Sequence, residues 1–382
     1  MSALFSPIKL RGLTLKNRVV VSPMCQYSAE DGVPTDWHFT HINNLSLSGA
    51  AMFCIEATHV EAIGRITPGC LGLYSDAAEA ALKQILASVR KHSSTAVAMQ
   101  LAHAGRKASS ARPWDGGQLI PVSEGGWQTV APSALPHKEG EAAPLALDAA
   151  GLTRIREAFV EAAKRAERIG IDAIELHGAH GYLMHQFLSP LSNKRNDAYG
   201  GDFDGRTRFP LEVAEAVRAA WPKDKPVFLR VSAVDGLDGG WTMDDTVAYA
   251  RELALRGIDV IDCSSGGLYG SATAARVKRS WGFQVPYAER VRREAGIMSM
   301  AVGLIIDPHF AESILQKGQA DLIAIAREAL VNPCWPQMAE ITLGRKAFDA
   351  MDDWPVQYGW WLKHRERSIA QIRADEAAAQ RS

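Results

Sequence analysis

The sequence predicts an α/β protein whose strands close into one eight-stranded (β/α)8 TIM barrel, a single domain with long loops after strands three and four. Three observations carry this. Short apolar runs alternate with longer amphipathic ones, the mark of repeated βα units and a parallel sheet. There are eight such runs, at 19–22, 52–56, 96–101, 173–177, 227–231, 260–264, 298–302 and 322–325. No Gly-x-Gly-x-x-Gly turn follows an early strand, as an open dinucleotide-binding sheet would require.

A parallel strand is covered on both faces, so its run is continuously apolar rather than alternating. The helical stretches between runs show one apolar stripe. Ile155, Phe159, Ala162, Ala166 and Ile169 share a face opposite Arg156, Lys164 and Arg168. Asp148 or Thr153 can cap that helix, and Gly170 ends it. Segments 107–147 and 188–208 are long, the first rich in Gly, Pro and Trp. Both leave the rim where barrels place their active sites, and loops of this length are seldom without a function.

The 382 residues carry a formal net charge of −1 and are 47% hydrophobic, which bounds the class to a globular protein with a large core. Residues 1–364 are expected to form the barrel and 365–382, charged and alanine-rich, a tail or terminal helix. No basic stripe points to nucleic acid, and no apolar run reaches the roughly 20 residues of a membrane span. The N-terminal residues lack a secretory pattern, so a cytoplasmic protein is expected. Cysteines 25, 54, 70, 263 and 334 are scattered, with no Cys-x-x-Cys pair, which argues against zinc ribbons, iron–sulfur clusters and a disulfide framework.

Polar residues gather where the strands end. Strand one runs into Ser22, Pro23, Met24, Cys25, Gln26 and Tyr27; strand two into Glu56, Ala57 and Thr58; strand three delivers Gln100, then His103. Strand four ends in His177-Gly178-Ala179-His180-Gly181-Tyr182, strand five presents Arg230, strand seven Val302 and Gly303, and strand eight Ala326 and Arg327. A barrel brings such positions to one rim.

His177 and His180 admit three readings: core histidines, a metal pair, or two imidazole N–H donors aimed at an oxygen that gains negative charge. The acidic third ligand and helical setting of a convincing metal motif are missing. Gly178 and Gly181 allow a sharp turn that sets Tyr182 beside the donors, and a neutral phenol can deliver a proton to a carbanion. Arg230 and Arg327, with Gly303, suit a phosphate-bearing cofactor. Cys25 is either a small packing residue or a thiol that touches substrate.

The residues Pro23 to Tyr27, Gln100 to Arg106, Glu175 to Tyr182, Ser192 to Arg195 and Tyr199 to Gly201 resemble the Old Yellow Enzyme family of FMN-dependent ene-reductases, in its bacterial thermophilic-like or xenobiotic reductase branch. The resemblance spans residues 4–361. It implies that Ser22, Pro23, Met24 and Cys25 line FMN, with Cys25 near its redox-active edge, and that Ala57, Gln100 and Arg230 contact its ring. Val302, Gly303, Ala326 and Arg327 would hold its phosphate.

By the same resemblance, NADPH or NADH donates hydride, and Tyr27, His177, His180 and Tyr182 form the substrate pocket. His177 and His180 would bind the oxygen of an enone or nitro substrate, and Tyr182 would protonate the α-carbon. A homodimer or dimer-based tetramer is implied. Two departures stand out: Ala326 replaces a customary glycine, and Trp360-Trp361 follow Gln357-Tyr358-Gly359 where relatives place an arginine that enters a partner's pocket. Either tryptophan would add an aromatic wall there, or both would pack a subunit seam.

The alternatives are a dienoyl-CoA or amine-oxidising barrel relative, a flavin carrier without a substrate, and a metal-dependent barrel lyase. The first needs extra cysteines and a further domain. The second has no use for a proton donor, and the third needs carboxylates gathered at the strand ends.

Overall fold

The computed structural model describes residues 2–269 and 277–381. Eight parallel strands close into a barrel: β1 (Val19–Val21), β2 (Met52–His59), β3 (Ala96–Ala102), β4 (Ala173–Gly178), β5 (Val227–Ser232), β6 (Val260–Ser264), β7 (Met298–Val302) and β8 (Leu322–Ile325). β8 pairs with β1 through Ile325↔Val21, which shuts the cylinder. An antiparallel hairpin, Ile8–Leu10 with Leu13–Leu15, precedes the barrel.

Each strand sends alternate side chains inward. Val20, Cys54, Ala98, Phe228, Met300 and Ala324 form part of one buried apolar cluster in the barrel interior. The strands' other faces join the helices in a second, larger core. The helix Ala149–Arg168 shows why the pattern works: the Asp148 carboxylate accepts the Gly151 N–H at 2.7 Å, and Ile155, Phe159, Ala162 and Ala166 are buried. Asp148, not Thr153, is the cap.

The loop expected over 188–208 is shorter. A helix, Phe203–Ala220, starts after Asp202, whose side chain accepts from Gly205 N. Pro210 lies inside that helix, so the apparent breaker does not mark its start. The segment 107–147 wraps the rim in short turns plus a two-residue ladder, Val130–Ala131 with Leu145–Ala146. Trp127 Nε1 ties it to Ile63 O at 2.8 Å. The position expected to divide barrel from tail, 364, falls inside one helix, Val356–Ala379, of which Gly359 is the buried residue. No helix of the described residues is long and apolar enough to cross a membrane.

Candidate active site

The strand ends open onto a cavity of about 580 Å³, within the range of small-molecule sites. Pro23, Cys25, Tyr27, Gln100, His177, His180, Tyr182, Arg230, Val302, Gly303, Ala326 and Arg327 all line it. Sequence-expected residues outside its lining are Ser22, Met24, Ala57, Trp360 and Trp361. Ser22 is buried beside Pro23, with its Oγ lacking a partner. Ala57 is buried where the β2–β3 register shifts between Ile55 and Thr58. Trp360 and Trp361 stand on the terminal helix, 56% and 68% exposed. His103, expected at the rim, is turned away: its Nε2 pairs with Glu61 at 2.8 Å.

The β4 exit is held from several sides. The Ala179 N–H donates to His177 Nδ1 at 3.2 Å, which leaves Nε2 as the N–H of that ring. His180 N donates to Ser232 Oγ at 2.9 Å, and Ser232 in turn donates to Gly266 O. His177 meets His180 edge-on at 5.2 Å and Tyr182 at 4.8 Å between ring centroids.

The expected pair of turning glycines is corrected here. Gly178 ends β4 and is not among the positive-φ residues, whereas His180 and Gly181 have φ of 60° and 75°. Gly178 is needed for close approach instead, since a Cβ there would sit 2.9 Å from Arg230 O. A histidine in the left-handed region costs backbone energy, about 1–3 kcal/mol, which the surrounding bonds must hold.

Electrostatics favour neutral donors. Burial, then the nearby Arg230 guanidinium, keeps His177 and His180 well below ordinary imidazole values. Burial pushes the Tyr182 phenol up, with Cys25 and Cys70 adding. The Cys25 thiol is likewise raised, by burial first and Glu56 second. Lys107 Nζ donates to His180 O at 2.8 Å and Gly267 O at 3.0 Å and sits 5.1 Å from the Tyr182 ring centroid.

The opposite end of the cavity is basic and backbone-rich. Gly303 has φ of 116°, and a Cβ there would meet Phe283 at 2.9 Å and Gln284 Nε2 at 3.0 Å. Only glycine keeps that notch open. Ala326 has a negative φ, −120°, so its methyl does not meet the penalty of a left-handed backbone. Arg327 lines the same end. Sequence reasoning missed Phe283, Gln284, Ile305 and Glu328, which also line the cavity; Gln284 Nε2 donates to Val302 O at 3.0 Å, a link that the sequence signals only through nearby Gly303. The orphaned Ser22 Oγ, the Gly303 notch and the arginines at either side fit a flat ring bearing a phosphate. Among the described residues no group of three His, Cys, Asp or Glu could hold a metal ion.

Residues 3–345 match the family described as NADH:flavin oxidoreductase / NADH oxidase. The chain is 43% identical over 343 residues to an NADPH dehydrogenase of Geobacillus sp. (strain WCH70), covering 89% of this chain and 94% of that one. It is 42% identical over 363 residues to an NADPH dehydrogenase of Geobacillus thermodenitrificans (strain NG80-2), covering 94% and 99%. Among solved structures, morphinone reductase in complex with tetrahydroNAD superposes with a TM-score of 0.73 at 28% identity, covering 91% and 92%. An old yellow enzyme homologue from Zymomonas mobilis has the same fold, with a TM-score of 0.72 at 24% identity over 90% and 94%.

Fold and relatives together define a flavin-dependent NAD(P)H oxidoreductase. More narrowly, the chain belongs to the NADH:flavin oxidoreductase / NADH oxidase family as a member of its Old Yellow Enzyme group, an NADPH dehydrogenase-type enzyme that uses FMN. The terminal helix with Trp360 and Trp361 lies beyond the residues that the family model matches.

Proposed function

We propose that this enzyme reduces activated C=C bonds of α,β-unsaturated carbonyl compounds, and nitro compounds by the same oxygen pocket. The observation that carries the reading is the grouping of His177, His180 and Tyr182 at one wall of the cavity, with both imidazoles kept uncharged. Bound FMN supplies the hydride chemistry, refilled by NAD(P)H. Pro23 and Cys25 would hold the ring from the end of β1, with Ser22, Met24 and Ala57 behind that lining, and Gln100 and Arg230 would take its polar edge. Val302, Gly303, Ala326 and Arg327 receive the phosphate.

The chain's own work is positional. His177 Nε2–H and a His180 N–H donate to the substrate oxygen and stabilise the charge that grows there. Tyr182 donates its phenolic proton to the α-carbon and recovers one from solvent. Tyr27 and Cys25 close the pocket. Trp360 and Trp361 are left for contacts outside this chain's cavity, and in our reading a second subunit supplies them.

The test is single-turnover stopped flow. Enzyme reduced with NADPH should be reoxidised by cyclohexenone without oxygen, and a phenol should compete by occupying the His177–His180 pocket. Reduced enzyme that ignores enones and nitro compounds alike would overturn the substrate assignment.

A further inference from the structure

An interior layer just below the strand ends of the barrel is polar. Gln100, Glu175, Arg230 and Asp262 come from β3, β4, β5 and β6, four strands adjacent in the sheet. Gln100 is in register with Glu175, and Arg230 with Asp262. Gln100 Nε2 donates to Glu175 Oε1 at 2.7 Å, and Arg230 Nε lies 3.1 Å from Asp262 Oδ2. Glu175 is 2% exposed and Asp262 fully buried.

The layer therefore holds two carboxyl groups and one guanidinium. Arg230 Nε directs its hydrogen bond to Ser264 Oγ at 3.2 Å, and neither Asp262 oxygen has a well-aligned donor. Among the described residues the remaining neighbours add no cation. Cys54 on β2 and Cys263 on β6 are thiols raised by burial, His177 is kept uncharged, and Ala98, Phe228, Met300 and Ala324 are apolar. A second, unpaired carboxylate in such a place costs several kcal/mol or more, on the order of the effective burial penalty of one ion. Among the described residues a proton is the one counter-charge at hand.

We propose that Glu175 and Asp262 share a single proton near neutral pH and hold it more tightly when negative charge is placed at the Arg230 edge of the flavin site, so that in the alkaline range, where the pair in the oxidised enzyme has lost this proton, reduction of bound FMN draws one extra proton back into the pair. This rests on the flavin placement proposed above, where Arg230 and Gln100 meet the ring's polar edge. The two electrons come from NAD(P)H as hydride. The extra proton comes from solvent and forms one O–H bond on a carboxylate, and no bond in the protein breaks. Burial, with the Asp262 charge adding and Arg230 and Gln100 opposing, pushes Glu175 up to about 8; burial raises Asp262 as well. The two groups titrate as one unit.

Spectroelectrochemical titration of the FMN-bound enzyme tests this. Around neutral pH the midpoint potential should fall with the slope of one proton per electron pair, and from about pH 8 upward with the slope of two. Glu175→Gln should keep the one-proton slope throughout, and Asp262→Asn should do the same. A wild-type slope of one proton across the alkaline range, or a yellow variant that retains the two-proton slope, would overturn the proposal. The infrared spectrum of flavin-free protein separates this from the flavin placement. A protonated-carboxyl band should be present at neutral pH and absent from Glu175→Gln. A missing band in the wild type sinks the shared proton whatever the flavin does; a wild type that shows the band yet binds no FMN keeps the pair and sinks the placement.

Discussion

His185 Nε2 donates to Asp235 Oδ1 at 2.7 Å, while its other ring nitrogen accepts the Gly181 N–H at 2.8 Å. One buried imidazole thus ties the β4 exit, where His180 and Tyr182 sit, to the loop after β5. Asp235 is saturated by Ser189 Oγ at 2.6 Å and Trp241 N at 2.7 Å. Removing either partner leaves a buried polar group unsatisfied, at about 3–5 kcal/mol for a broken buried pair.

His185→Leu should therefore lower the melting temperature and loosen the turn that holds His180 at positive φ. Phenol affinity should fall along with stability. Asp235→Asn, which keeps shape and one acceptor, should lose less. Thermal denaturation and phenol titration of the two variants check this, and unchanged phenol binding in His185→Leu would count against the tie. The pH dependence has a definite sign. Burial raises the Asp235 carboxyl, but His185, Ser189 and Trp241 together outweigh it and hold it below the usual range. Its contribution is present above the ordinary carboxylate value and is lost as pH falls through the lowered one.

The barrel was readable in the sequence because all eight strands are covered on both faces, and their apolar runs announce themselves. The segment His177 to Tyr182 was readable because its groups are contiguous. The tie between His185 and Asp235 was not, since the partners lie 50 residues apart and neither stands in a motif. Glu175 and Asp262 were hidden for a different reason. Each is one polar residue inside an apolar strand, and only the inward alternation of β4 and β6 against β5 brings both beside Arg230. Of the two glycines expected to make the turn, Gly181 does so and Gly178 does not; the other left-handed residue is His180, which tertiary bonds hold there.

Tyr182→Phe should slow reoxidation by an enone by about 10²–10⁴-fold, the range for loss of a general acid, and leave flavin reduction by NADPH within a small factor. The phenol lines the cavity and is kept protonated by burial, so its role is confined to the step that needs a proton. Stopped-flow measurement of each half-reaction checks this. Equal slowing of both would assign Tyr182 a structural role instead.

Phenol binding should show no imidazole titration between about pH 5 and 8, where an ordinary histidine changes charge. Burial, then Arg230, holds His177 and His180 well below that window, so both remain N–H donors of fixed charge across it. His177→Ala should weaken phenol binding by about tenfold, the size of a typical hydrogen bond of 1.4 kcal/mol, without creating a pH dependence. A titration followed by flavin absorbance decides the point.

Gly303→Val should abolish or strongly weaken FMN retention while the barrel still folds. The added atoms would meet Phe283 and Gln284 at a backbone with φ of 116°, which a β-branched residue does not adopt without strain. Fluorescence titration of flavin-free protein with FMN, beside circular dichroism of the same sample, separates loss of the cradle from loss of the fold.

Lys107 gives the pH profile of the proton-delivery step. Burial, with Arg106 and Lys138 adding, pushes its ammonium down to about 7, and Nζ sits 5.1 Å from the Tyr182 ring centroid. A positive charge there favours the phenolate that Tyr182 becomes after giving up its proton. Below about pH 7 Lys107 is charged and assists; as pH rises through that value the assistance is lost. Enone reoxidation should accordingly decline through this region in the wild type. Lys107→Met should be slower at acid pH and flat across the same range, while flavin reduction by NADPH stays unaffected in both. A wild-type profile without that decline, or one that persists in Lys107→Met, would assign the lysine to holding His180 O and Gly267 O alone.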